Sequence, residues 1–250
     1  MRLCDALVLP LGTQLAIVGA GGKTSTLFHL AHTLPGTVLV TTTTHLGVSQ
    51  VSFADQHYVI TSPEELSCKA LFSRKVNLLT GLLTMDNRFR APDEPVLTKM
   101  HELAKEKKMY LLVEADGART LSLKAPAVHE PCIPNWCDLV IVCVGLSALE
   151  KPLTAEWVHR PERYAALANI ELGELVTLQD IVRVLVHPEG GLKGIPPSAR
   201  RIAFLNQADT QEMIAVAQEA VPGLLVGGYD GVYIGSIQKA PDEGIWFSYS

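Results

Sequence analysis

Short, strongly apolar runs rich in β-branched residues recur along the chain, and between them lie stretches whose apolar positions repeat every three to four residues. The runs QLAIV, TVLVTTT, HYVI, MYLLVEA, DLVIVCVG and RIAFLN read as strands buried on both faces. Helical periods follow at about 23 to 34, 94 to 107, 161 to 169, 177 to 186 and 210 to 220. Alternation of this kind predicts an α/β fold, a mainly parallel sheet flanked by helices. One segment, NLLTGLLTMDNRFRAP, departs from it. There Asp86-Asn87 separates two short alternating runs, which predicts a β-hairpin inserted at the sheet edge over about 75–92 of an otherwise single domain, 1–250. Proline and glycine gather at HPEGGLKGIPP and VGGYDGVYIG, which read as surface loops.

Composition narrows the partners. The 250 residues are 48% hydrophobic, enough for a substantial core, and a net charge of -5 offers no basic face for nucleic acid or an anionic membrane surface. Asp5 and Pro10 interrupt the N-terminal apolar stretch, and no run approaches the roughly 18 apolar residues of a membrane span. A cytoplasmic protein is expected. Five cysteines at irregular spacings argue against a disulfide framework. Of the near cluster Cys132, Cys137 and Cys143, the last lies inside an apolar run and reads as core rather than as a zinc ligand.

The first chemical motif is VGAGGKTS. Gly19, Ala20, Gly21 and Gly22 follow a buried strand and precede a helix, so the glycines can turn tightly and aim backbone N–H groups at an anion. Lys23 would then reach the β and γ phosphates of ATP or GTP, the Thr24 hydroxyl would hold Mg2+, the following helix would add its positive N-terminal end, and Ser25 counts with them among the nucleotide-binding residues. Ile17 stands where the usual phosphate loop has its first glycine, which leaves the shorter form G-x-x-G-K-T. That form resembles the phosphate loop of the Mur-type amide ligases. A Gly-rich turn with a chance Lys-Thr is the plainer alternative.

Two further motifs follow in order. YLLVEADG ends a strand with Glu114 and Asp116, of which Glu114 is expected in the metal shell and Asp116 at the attacking water or substrate. The acid-x-x-glycine spacing to Gly117 resembles the variant in the nickel-insertion GTPases of hydrogenase and urease maturation. Helix capping or pairing with Arg119 is the structural alternative. Next, Asn206 to Asp209 resembles the GTPase base-reading motif, with Asn206 bracing the loop, Asp209 meeting a guanine edge and Gln207 replacing the usual lysine. Asp209 or Thr210 as a simple helix cap is equally compatible. Of the four threonines in VTTTTHLG, Thr43 is the candidate third metal ligand, and His45 follows it. Arg119, Lys124, His129 and Glu130 occupy a proline-rich loop that reads as a substrate lip or a solvated segment, while His159 and Arg160 precede a helix opened by Pro161.

Together, VGAGGKTSTL, VTTTTHLG, VEADGARTLSLKAPAVHEPCIP, HRPERYAAL and LNQAD resemble the YqeC-type family of selenium-dependent hydroxylase accessory proteins. The resemblance implies a helper in molybdenum hydroxylase maturation, acting on the molybdenum cofactor or on a hydroxylase partner. Three functions fit: a Mg2+-dependent NTPase or phosphoryl or nucleotidyl transferase, an ATP-dependent small-molecule ligase or kinase, and a nucleotide-gated scaffold.

Overall fold

A computed structural model describes residues 1–67, 72, 74–117 and 120–249. Arg119 lies outside the described residues. Within them the helices are α1 (Leu3–Leu7), α2 (Lys23–Thr33), α3 (Glu94–Glu106), α4 (Pro161–Ala168), α5 (Leu178–Val186), α6 (Gln211–Gln218) and α7 (Val221–Val226). The strands are β1 (Gln14–Gly19), β2 (Val38–Thr42), β3 (His45–Gly47), β4 (Gln56–Val59), β5 (Val76–Thr80), β6 (Arg88–Arg90), β7 (Tyr110–Glu114), β8 (Leu123–Lys124), β9 (Leu139–Gly145), β10 (Val158–His159), β11 (Arg200–Asn206), β12 (Gly231–Ser236) and β13 (Ala240–Ser248).

Nine strands form one sheet in the order β13-β12-β11-β9-β1-β7-β2-β5-β4, parallel throughout except for β13 at one edge. The alternation along β1 explains why both faces must be covered. Leu15 and Ile17 join one apolar cluster with Leu27, Leu30 and Leu3 from α2 and α1, whereas Ala16 and Val18 join another with Met100 of α3, Ile181 of α5 and Leu224 of α7. β1 sits between β7 and β9, and the chain leaves it toward β2 on one side and reaches β9 on the other. Such a switch in strand order opens a crevice at the carboxyl ends of the strands, beyond Gly19. No helix among the described residues is long and apolar enough to cross a membrane.

Two segments differ from the expectation. Val76–Thr80 is an inner parallel strand between β2 and β4, so the antiparallel hairpin is confined to the residues after it, where Gly81 N donates to Arg90 O and Thr84 N to Arg88 O. Asn87, at φ 61°, makes its tip. VGGYDGVYIG, expected as a loop, contains the fully buried strand β12. Its glycines mark close packing: a Cβ on Gly231 would stand 2.1 Å from the Trp246 ring of β13. Gly231→Ala is therefore expected to lower stability by about 1–3 kcal/mol through overpacking. A urea midpoint equal to wild type would contradict this packing.

Candidate functional site

The phosphate-loop candidate fills the crevice beyond β1. Gly19, Gly21 and Gly22 all take positive φ, at 96°, 71° and 114°. At two of them a side chain is also excluded by neighbouring backbone, since a Cβ would lie 2.1 Å from Cys143 O at Gly19 and 2.2 Å from Gly145 N at Gly21. The loop is thus pressed against the end of β9. Its amides are partly spoken for: Gly19 N donates to Asp116 Oδ2 (2.9 Å), Ala20 N to Cys143 O (2.9 Å) and Gly21 N to Leu121 O (2.9 Å). The first intrahelical bond of α2 runs from Thr26 N to Gly22 O, which leaves the N–H groups of Lys23, Thr24 and Ser25 without helical acceptors. Of the Gly19–Gly22 amides expected from the sequence, three are thus engaged within the protein, and the donors open to an anion in this conformation lie toward the first turn of α2.

Lys23 is 5% exposed and folds back over the loop, with Nζ 2.9 Å from Gly19 O and 3.2 Å from Asp116 Oδ1. Burial alone would lower its pKa, but the Asp116 and Glu114 carboxylates outweigh this and hold the ammonium above its usual value. Thr24 Oγ1 donates to Glu114 Oε2 at 2.8 Å and accepts from Gln50 Nε2 at 2.9 Å. Burial pushes the Glu114 carboxyl up, against the pull of Lys23 and Thr24. These two oxygens line the same cleft and are the hard donors that Mg2+ prefers, so the pair fits a magnesium site. Gln50 has no motif to announce it; it emerges only from the fold.

Of the other expected residues, Asn206 stands at the loop, whereas Thr43 and Asp209 do not line its cleft. The Thr43 hydroxyl donates to Cys132 O at 2.8 Å and lines a neighbouring cavity rather than the cleft of Thr24 and Glu114. Asp116, expected at the attacking water, is 2% exposed and lies inside an ion-pair chain. Lys124 Nζ donates to Asp116 Oδ2 (2.7 Å) and Glu130 Oε2 (2.9 Å), and Arg160 grips both oxygens of Glu130 at 2.8 and 3.1 Å. The proline-rich loop is thus anchored inward through Lys124 and Glu130. Asn206 braces the phosphate loop, with Nδ2 donating to Gly21 O (2.7 Å) and Oδ1 accepting from Ile237 N (3.1 Å). Asp209 accepts from Ser236 Oγ and pairs with Lys239, and is not itself among the residues that line the cleft, although Gln207 and Gln238 are. Thr210 caps α6 through a bond from Met213 N. Cys143 is buried against Thr26, its thiol pushed up to about 12 by burial, and no metal-holding group of His, Cys, Asp or Glu occurs among the described residues.

The cleft over Lys23, Thr24 and Glu114 has a volume of about 1020 Å³, ample for a nucleotide. A glycine loop from the central strand into a helix opened by a buried lysine, with an acid at the end of the adjacent strand, defines a P-loop NTPase-like α/β protein. The chain matches the family described as YqeC protein over residues 15–162. It is 32% identical to YqeC of Escherichia coli (strain K12), itself uncharacterized, across 95% of this chain and 94% of that one. The chain belongs to the YqeC family. The matched span holds the phosphate loop, Glu114, Asp116 and Arg160, and ends before Asn206 and Asp209. Among solved structures, FtsY from Mycoplasma mycoides aligns over 95% of this chain at 12% identity and a TM-score of 0.30, and the chain spans 64% of its length. That likeness is too distant to add to the sheet order and loop geometry.

The ion-pair chain has a pH signature. Glu130 is buried, which alone would raise its pKa, but hydrogen bonds from Arg160 and Lys124 and the Lys124 charge bring it from 4.5 down to about 2. A depressed carboxylate contributes stability above its unfolded pKa and loses it as pH falls through the folded value. Stability is expected to fall by up to about 3 kcal/mol between about pH 5 and pH 2, and Glu130→Gln should flatten that limb. Urea unfolding across the range checks it; equal slopes in the two proteins would contradict the pairing.

Proposed function

We propose that the chain binds a nucleoside triphosphate with Mg2+ in this cleft and hydrolyses it slowly, as a nucleotide-gated maturation factor. One observation carries the reading: Lys23, Thr24 and Glu114 converge on a cleft at the N-terminus of α2, with the lysine held in reserve by Asp116. On binding, Lys23 exchanges Gly19 O and Asp116 for phosphate oxygens, and the N–H groups of the first turn of α2 meet the same anion. Thr24 and Glu114 would hold Mg2+, which would supply positive charge to the phosphates, and Gln50 would give up its bond to Thr24. Asp116, released by Lys23, stays paired with Lys124. Asp116, kept paired with Lys124, is then not a free general base, which supports slow turnover and a gating role.

The target follows from the family resemblance: a molybdenum hydroxylase or its cofactor, with the selenium dependence that the resemblance implies. In this reading Asp209 reads the base weakly, because Ser236 and Lys239 already occupy its oxygens.

Lys23→Ala is expected to weaken triphosphate binding at least about a hundredfold while circular dichroism reports native secondary structure and urea unfolding a folded protein made less stable by the loss of a partner of Asp116. Wild-type affinity in that variant, measured by calorimetry, would overturn the assignment. ATP and GTP are expected to bind the wild type within about tenfold of each other, since the guanine edge gains no free carboxylate. A GTP preference of a thousandfold would show instead that Asp209 exchanges its partners for the base.

A further inference from the structure

Beside the cleft lies a second cavity of about 660 Å³, over the carboxyl ends of β2 and β7, which the proposed nucleotide does not use. The two spaces share His45. Thr43 ties the floor of the second one to the sheet, its amide donating to Glu114 O (3.0 Å) and its hydroxyl to Cys132 O (2.8 Å).

Three kinds of wall enclose it. In the antiparallel pairing of β3 with β6, His45 stands directly opposite Arg90, which puts imidazole and guanidinium on one face of the ribbon, with Cβ atoms about 5 Å apart. Among the described residues Arg90 is held through its backbone, Arg90 N donating to Leu82 O and Arg90 O accepting from Gly81 N, and no ion pair engages its guanidinium. Facing them is an apolar wall of Trp136, Ile133 and Leu97, in which the indole is fixed by stacking on His101 at 5.0 Å and 18°. Asp93 and Glu94, where α3 begins, complete the lining, and Asp93 makes no side-chain cap bond that would neutralise it. A single anionic group is matched by Arg90 and His45, but a polyphosphate would meet two carboxylates. That separates this space from the cleft of Lys23.

We infer that the cavity is a binding site for a small molecule carrying one anionic group, a carboxylate or a phosphate monoester, on a flat apolar body. The anion sits on Arg90 and His45, and the body lies along Trp136. Its nearness to a bound triphosphate, through the shared His45, rests on the function proposed above and is the place that an acceptor would occupy in a ligase or kinase. Binding itself needs no nucleotide.

The test uses the nucleotide-free full chain with its tryptophans labelled with nitrogen-15, titrated with 2-naphthyl phosphate, 2-naphthoate and neutral 2-naphthol. The Trp136 indole resonance is read by NMR and assigned with Trp136→Phe. At least one anion should shift that resonance saturably, bind about tenfold more weakly to Arg90→Gln, and bind at least about tenfold better than 2-naphthol. A response to the phosphate alone assigns a phosphate monoester; a response to the naphthoate assigns a carboxylate. The inference is overturned by no saturable shift with either anion, by an unchanged affinity in Arg90→Gln, or by equal binding of 2-naphthol. Binding of MgATP to Arg90→Gln is measured in parallel, so failure here is distinct from failure of the nucleotide site.

Discussion

Asp116 is the buried charge around which the site is organised. A carboxylate 2% exposed must be compensated, and three donors from three segments do so: Gly19 N from the loop, Lys23 from the start of α2 and Lys124 from β8. Removing one of them would leave the charge short of partners, at a cost on the order of 3–5 kcal/mol for a buried pair. The conformation of the phosphate loop and that of the proline-rich segment are therefore not independent. Through Lys124 the same chain continues to Glu130 and Arg160, where α4 begins. A ligand that drew Lys23 away from Asp116 would leave Lys124 and Gly19 N to compensate that carboxylate.

Sterics enforce what electrostatics organise. The loop lies so close to β9 that Gly19 and Gly21 cannot carry a side chain, and Asn206 closes the third side by holding Gly21 O. β1, β9 and β11 thus converge on one loop, and their parallel register supplies the rigidity. The glycines serve the fold even before any ligand arrives. This is why their presence alone does not define a phosphate site; the proposal rests on the lysine, the threonine and the acid around them.

Much of this was legible in the sequence, for reasons that differ by element. The inner strands announced themselves because burial on both faces leaves unbroken apolar runs, and Lys23, Thr24 and Glu114 because their chemistry depends on spacing along one loop and one strand end. β12 was hidden because glycine punctuates turns and also admits a close aromatic neighbour, here Trp246, and only the packing distinguishes the two. Four consecutive threonines could not say which hydroxyl faces the cleft, and Thr43, just past the end of β2, bonds Cys132 O instead. Asp116 was found, but its partners Lys124 and Lys23 are brought to it by the fold. Gln50, and the pairing of His45 with Arg90 across 45 residues, arise wholly from tertiary contacts.

Calorimetric titration of the wild-type protein with ATP and with GTP, with and without Mg2+, distinguishes a nucleotide site from a structural turn. Saturable triphosphate binding that strengthens at least about tenfold with Mg2+ is the predicted result, since Thr24 and Glu114 contribute only through the metal. No binding of either nucleotide, or binding indifferent to Mg2+, would contradict it and leave the loop after β1 as a structural turn held by Asp116 and Asn206.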